Sequence, residues 1–242
     1  MKAEQMTEQF TFPATEVNAA NDRAGDLSPY DRSRLNYDLT YDPTPILASF
    51  GCLSMKPGWV LRAYVDGNVA SESTVIALPL PGSAAQAPLS IVGEGQGLYP
   101  NAHFDYHLDL DLDGCLRFMA AVEGDGTPWS YLCASLAVRR LIDFGASDHA
   151  RYAHDWAGHR IVETWPQPSG PWRVEPGAEK RAELPRVVVD QDCVTVRLYT
   201  HSPPAANGEG VWLHQDRYAL GSYDPVMTRT LLAAGRRARY RI

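Results

Sequence analysis

From His103 to Gly114 the chain reads HFDYHLDLDLDG, with His or Asp at every second position and Phe, Tyr or Leu between them. Side chains on a strand point to opposite faces in turn, so this alternation separates an apolar face from one of imidazoles and carboxylates. A helical period of 3.6 would scatter both sets around the circumference. The glycine then reverses the chain. With Leu112, Asp113 and Gly114 as a three-residue loop, Leu110 faces Leu116, Leu108 faces Phe118 and Phe104 faces Val122 on the apolar side. On the polar side Asp109 faces Arg117 and His103 faces Glu123. A shift of one residue would set Leu110 against Arg117 and Asp109 against Phe118, spoiling both faces.

Strand patterning recurs elsewhere. WVLRAYV runs through Asp66-Gly67-Asn68 into a Ser/Thr/Val stretch ending at Leu80, which predicts a hairpin. HRIVETW, WRVEP, RVVVDQD with CVTVRLYTH, and VWLHQDRYAL predict further strands. One long helix is expected after Thr127 as N-cap and Pro128 as first helical residue, with Gly145 past its end. Its stripe is Trp129, Leu132, Cys133, Leu136, Ala137, Leu141 and Phe144. A short C-terminal helix is expected from Asp224-Pro225 to near Gly235. The fold class that follows is α+β: a large, mainly antiparallel sheet, curled into a barrel or folded into a sandwich and packed by these two helices.

Hydrophobic residues are 45% of 242, enough for residues 46–242 to bury one core as a single β-rich domain. Residues 1–45 are polar and broken by Pro13, Pro29, Pro43 and Pro45, which predicts an extended N-terminal arm. Tyr30, Tyr37 and Tyr41 would anchor such an arm as a lid or across a homodimer. A net charge of -7 argues against nucleic-acid and membrane-surface partners. The cations Arg236, Arg237, Arg239 and Arg241 read as a solvated tail. Cys52, Cys115, Cys133 and Cys193 lie too far apart for a zinc knuckle or a dense disulfide framework, so reduced, mostly buried thiols are expected. The first residues lack a secretory apolar segment, and no run is apolar enough to span a bilayer, so a cytoplasmic location is expected.

Chemistry-bearing residues are few. His103 and Asp105, two apart on a strand face, are spaced to converge on a divalent metal ion, with His154, His159 or His201 as a third ligand and Glu123 as a ligand or supporting acid. The segment YPNAHFDYH resembles the His-x-Asp strand of 2-oxoglutarate-dependent dioxygenases. With Gly97 it is also similar to the first cupin motif, Asp replacing the second His. These likenesses cover only a short stretch, and the Arg expected after a later His is unmatched: Arg173 after His159 and Arg217 after His201 lack the usual small polar residue two positions on. A long helix also follows where both folds continue in strands, so no family is assigned. The glycine loop GEGQG leads into an extended segment instead of a helix, which removes a dinucleotide site. DLDLDG fails as a calcium loop because Ala120 stands where a bidentate Glu is needed. In DHARYAHDWAGHR, the five-residue spacing of His149, His154 and His159 keeps all three off one helical face. No nucleophile elbow, Walker loop or zinc-protease motif is present.

Trp156, Trp165 and Trp172 lie among prolines and glycines, where with Tyr106 they would line an aromatic mouth. Two functions therefore compete. The leading one is a module that binds a small organic ligand there. The other is a mononuclear metal enzyme of the non-haem iron type built on His103 and Asp105, which needs a third ligand that the sequence does not identify.

Overall fold

The computed structural model describes residues 7–27, 40–65, 73–79, 118–142, 156–167, 171–179, 181–202 and 209–235. In chain order its elements are β1 (Glu8–Thr11), α1 (Ala14–Gly25), β2 (Thr40–Tyr41), α2 (Thr44–Ala48), β3 (Leu53–Met55), β4 (Trp59–Val65), β5 (Ser73–Pro79), β6 (Val122–Gly124), α3 (Pro128–Ile142), β7 (Arg160–Val162), β8 (Arg173–Val174), β9 (Arg186–Val189), β10 (Cys193–Ser202), β11 (Gly210–Ala219) and β12 (Val226–Ala234). Short 3-10 turns, Phe118–Ala121 and Trp156–Gly158, precede β6 and β7.

Mixed helix and strand around a large antiparallel sheet is the architecture expected from the sequence. Among the described residues seven strands pair in the order β1-β9-β10-β11-β12-β8, with β7 joining β10 on the edge it shares with β9. The path is open, its end strands β1 and β8 unpaired with each other, so the sheet is not a closed barrel. Two small sheets, β2-β4-β5 and β3-β6, lie apart from it. The hairpin of WVLRAYV is β4–β5, paired from Trp59↔Pro79 to Val65↔Ser73.

The centre is β10–β11, in register from Cys193↔Ala219 to Ser202↔Gly210. Val194, Val196, Leu198 and Thr200 alternate onto a buried face, here the inner one. Over it lies α3, buried without interruption from Ser130 to Leu141. A helix buried on all sides sits in the middle of a core. Accordingly α3 touches β9 and β10 and also α1, α2, β3 and β5. Its start follows the sequence: Thr127 Oγ1 accepts from Ser130 N at 3.2 Å, and Pro128 needs no hydrogen-bond partner.

The structure corrects four expectations. The N-terminal segment is not an extended arm throughout. Phe10 pairs with Val187 as β1 adds to the sheet, and Val17, Ala20, Asn21 and Ala24 form a buried stripe on α1 at helical spacing. Pro13 offers this helix no side-chain cap, so Ala14 N donates instead to Glu163 Oε2 at 3.0 Å, a carboxylate at the positive end of the dipole. With 12 residues in α1 and 15 in α3, the described residues hold two sizeable helices rather than one. The short C-terminal helix is strand β12. Val226, Thr228 and Thr230 are exposed and alternate with half-buried Met227, Arg229 and Leu231, and the long edge of β11 captures this two-residue pattern. Finally, the return arm predicted opposite His103–Leu110 is not extended at Phe118–Ala121. Phe118, Met119, Ala121 and Val122 are buried in near-continuous sequence, which suits a tight turn and not an alternating strand. Glu123 lies opposite Ser54 on β3. The first arm and its loop fall outside the described residues. No helix among those described is long and apolar enough to cross a membrane.

Candidate functional site

On the inner face, alternation along β11 lines up Trp212, His214, Asp216 and Tyr218, and the register brings Thr200 and Leu198 beside them. Arg139 of α3 reaches down to this row. Its Nη1 donates to Asp216 Oδ2 at 2.5 Å and its Nη2 to Asp216 Oδ1 at 2.8 Å, a bidentate pair with both side chains almost wholly buried. Arg139 Nη2 also lies 3.4 Å from His214 Nδ1, and His214 Nε2 lies 2.9 Å from Thr200 Oγ1. Thr200 Oγ1 is in turn 2.9 Å from His159 Nδ1.

The donors fix the direction of this chain. Arg139 can only donate, so His214 Nδ1 accepts and its Nε2–H donates to Thr200. The Thr200 hydroxyl then has its own proton for His159 Nδ1. That assignment satisfies every link and leaves His159 with an Nε2–H donor, its lone pair spent on Thr200. Burial, then the nearby Arg229, Arg139 and His201, lower the His159 pKa to about 3. His214 is also held well below the ordinary histidine range, by burial first and Arg139 next. Both imidazoles are thus neutral at pH 7.

Helix α1 and the Trp156 turn close this network from above. Asn21 Oδ1 accepts from Trp156 Nε1 at 2.8 Å and from Arg140 Nε at 2.9 Å, while Asn18 makes two bonds to the Ile161 backbone. Trp156 stacks on His159 with ring centroids 5.6 Å apart and meets His214 edge-on at 5.4 Å. The Arg139 guanidinium lies 5.2 Å from the Trp156 ring centroid.

The outer face carries a different group. Val211, Leu232 and Ala233 are its buried centre, and Trp165, Trp172, Val174, Tyr199 and Leu213 pack around them. A bulge between Val211 and Trp212 inserts Leu232 opposite β11, turning both Leu232 and Ala233 into this cluster. Trp172 meets His201 edge-on at 5.9 Å, and His201 Nε2 is 3.2 Å from Glu209 Oε1. Glu209 is buried, and Gly235 leaves it room, since a Cβ there would lie 2.6 Å from Glu209 Oε2. The Trp172 indole N–H is buried and has no acceptor among the described residues.

Comparison with models of known families, with curated proteins and with solved structures gives no match.

The three tryptophans expected to share one mouth are therefore divided by the sheet. Trp156 belongs to the inner network, and Trp165 and Trp172 come together outside. His159 is buried in the inner network and bonded to Thr200. Glu123 is exposed on β6, where its Oε1 accepts from Ser54 Oγ at 3.2 Å. His103, Asp105, Tyr106 and His154 lie outside the described residues. Among the described residues no three His, Cys, Asp or Glu side chains converge as a metal ion requires. Thr200, His214, Asp216, Arg139 and Asn21 were missed by the sequence reasoning. A signal existed in WLHQDRY: Trp212, His214, Asp216 and Tyr218 share one strand face, a mixture that reads as solvent-facing until Arg139 is seen above it.

Proposed function

We propose that the protein is a binding module that holds a small organic ligand against Trp165, Trp172 and Tyr199 on the outer face of the large sheet. One observation carries this: the buried Trp172 N–H, which has no acceptor among the described residues. A buried donor left unsatisfied costs about 1–3 kcal/mol, and native structures keep few of them. A ligand carbonyl, carboxylate or ring nitrogen would complete it. Trp165, Tyr199 and Leu213 supply apolar area for the rest of such a molecule, and the His201–Glu209 pair beside Trp172 adds a polar edge. The inner network then serves as support, tying β10 and β11 to α3 so that the outer surface keeps its shape. The same proposal keeps the protein in the cytoplasm, where the free thiols of Cys52, Cys133 and Cys193 stay reduced.

Tryptophan fluorescence titration against aromatic carboxylates, primary amides and nitrogen heterocycles tests it. At least one class should bind, with affinity at least about tenfold weaker in Trp172→Phe, the worth of one hydrogen bond, and unchanged in Trp156→Phe. Equal affinity for wild type and Trp172→Phe, or no binding by any class, refutes the assignment.

A further inference from the structure

On the outer face of β10 the residue that follows Tyr199 in the two-residue alternation is Arg197, about 6.5–7 Å along the strand. The register there sets Thr11, Arg186, Arg197, Gln215 and Thr228 side by side across β1, β9, β10, β11 and β12. Two arginines therefore stand directly opposite each other, an arrangement that destabilises a sheet when nothing neutralises it. No acid interrupts this row. The neighbouring rows, that of Tyr199 and Leu213 on one side and that of Thr195 and Arg217 on the other, contain none either. The chain as a whole has 29 Asp and Glu against 22 Lys and Arg, so this cationic patch runs against the overall charge. Little in the fold balances it. Arg197 Nε donates to Gln215 Oε1 at 3.1 Å, a neutral acceptor. Arg186 Nη2 lies 3.4 Å from Glu183 Oε2, but Arg181 Nη2 holds the other oxygen of that carboxylate at 2.6 Å. Arg186 Nε is buried and has no acceptor among the described residues, which makes it a second such donor on the outer face after the Trp172 N–H.

We propose that the outer-face ligand is an anion: an aromatic or heteroaromatic molecule whose carboxylate or phosphate is held by Arg197 and Arg186. This rests on the ligand reading given above and adds the chemical class. The ring body lies against Trp165, Trp172 and Tyr199, and an acceptor on it takes the Trp172 N–H. One two-residue step along β10, the acidic group meets the guanidinium pair. Planar guanidinium forks match the oxygens of a carboxylate or phosphate, and charge-assisted bonds of this kind are roughly twice as strong as neutral ones. The bound oxyanion gives Arg186 Nε its acceptor and screens the two like charges from each other. A neutral ligand would do neither. The arginines are thus the residues that set specificity, and the aromatic group supplies the contact area.

Isothermal titration calorimetry of the native protein with two matched pairs gives the test: hippurate against its primary amide, and uridine 5′-monophosphate against uridine. In at least one pair the acid should bind about tenfold or more tightly than its neutral partner, and the difference should shrink as salt is raised. A preference within the first pair assigns a carboxylate, and one within the second a phosphate. Arg197→Gln and Arg186→Gln should each weaken binding of the acid about tenfold and leave the neutral partner unchanged, while Arg197→Lys should keep part of the preference. The wild-type comparison decides the matter even where a variant fails to fold. Neutral members that bind as tightly as the acids, with binding lost in Trp172→Phe, would overturn the anion assignment and leave the outer-face site standing. If no member of either pair binds, the anion assignment falls, and the wider titration described above decides the reading beneath it.

Discussion

At the scale of single residues, the inner network is held by necessity as much as by strength. Arg139 and Asp216 are both almost fully buried, and such a pair adds little beyond a hydrophobic substitute, yet removing one partner strands the other at a cost of about 3–5 kcal/mol. The two histidines have a pH signature. Their folded pKa values lie below the ordinary 6.5, with His159 at about 3, so on acidification the unfolded chain binds protons that the folded one refuses. Their contribution is complete above pH 6.5 and is lost as pH falls, by up to about 1.4 kcal/mol per pH unit for each histidine. Urea titrations between pH 7.5 and 5 should show stability falling with pH, and His159→Asn should shallow the slope by up to that amount. Identical slopes would mean that His159 is charged in the fold. Beyond the shared strand face of WLHQDRY, none of this was legible in the sequence, because Thr200 and His214 meet only through strand register. A His and an Asp on an alternating strand look the same whether they face water or a buried arginine. Trp165 and Trp172 were read together with Trp156, from their shared setting among prolines and glycines. What the sequence lacked was the sheet that separates them from Trp156.

At the scale of elements, strong local signals predicted well. The Thr127-Pro128 start, the β4–β5 hairpin and the alternation of β10 and β11 each combine a stop or start residue with a clear period. Elements misread were those whose state is decided by neighbours. Helix α1 is short, weakly amphipathic and Ala-rich, and α3 and β7 give it a reason to fold. Strand β12 was read as a helix because Asp224-Pro225 is a plausible start, but the unpaired edge of β11 decides between the two. Truncation separates a folded segment from a loose arm. A chain beginning at Ser28 loses Val17, Ala20 and Ala24 from the core and exposes the Asn21 partners Trp156 and Arg140. Burying one valine-sized side chain is worth about 1.5–3 kcal/mol, so this chain should lose cooperative urea unfolding or have a markedly lower midpoint by circular dichroism. An unchanged midpoint would restore the loose arm.

At the scale of the whole molecule, the seven-stranded sheet separates two environments. The inner side is the main core, crossed by α3 and closed by α1, where Arg139, Asp216, His214, Thr200 and His159 bond to one another in a directed chain. The outer side has a small apolar centre ringed by tryptophans and a tyrosine, and it keeps a donor, the Trp172 N–H, that has no acceptor among the described residues. On the proposed reading, the bonded network behind the sheet supports the surface that carries the Trp172 donor. The most direct measurement is nuclear magnetic resonance of protein labelled with nitrogen-15 at tryptophan, the Trp172 indole signal assigned by its loss in Trp172→Phe. With a ligand class that binds in the fluorescence titration, the Trp172 N–H should shift downfield as it gains an acceptor, while the Trp156 N–H, already bonded to Asn21, stays in place. A bound ligand that leaves Trp172 unmoved, or moves Trp156 instead, would contradict the account.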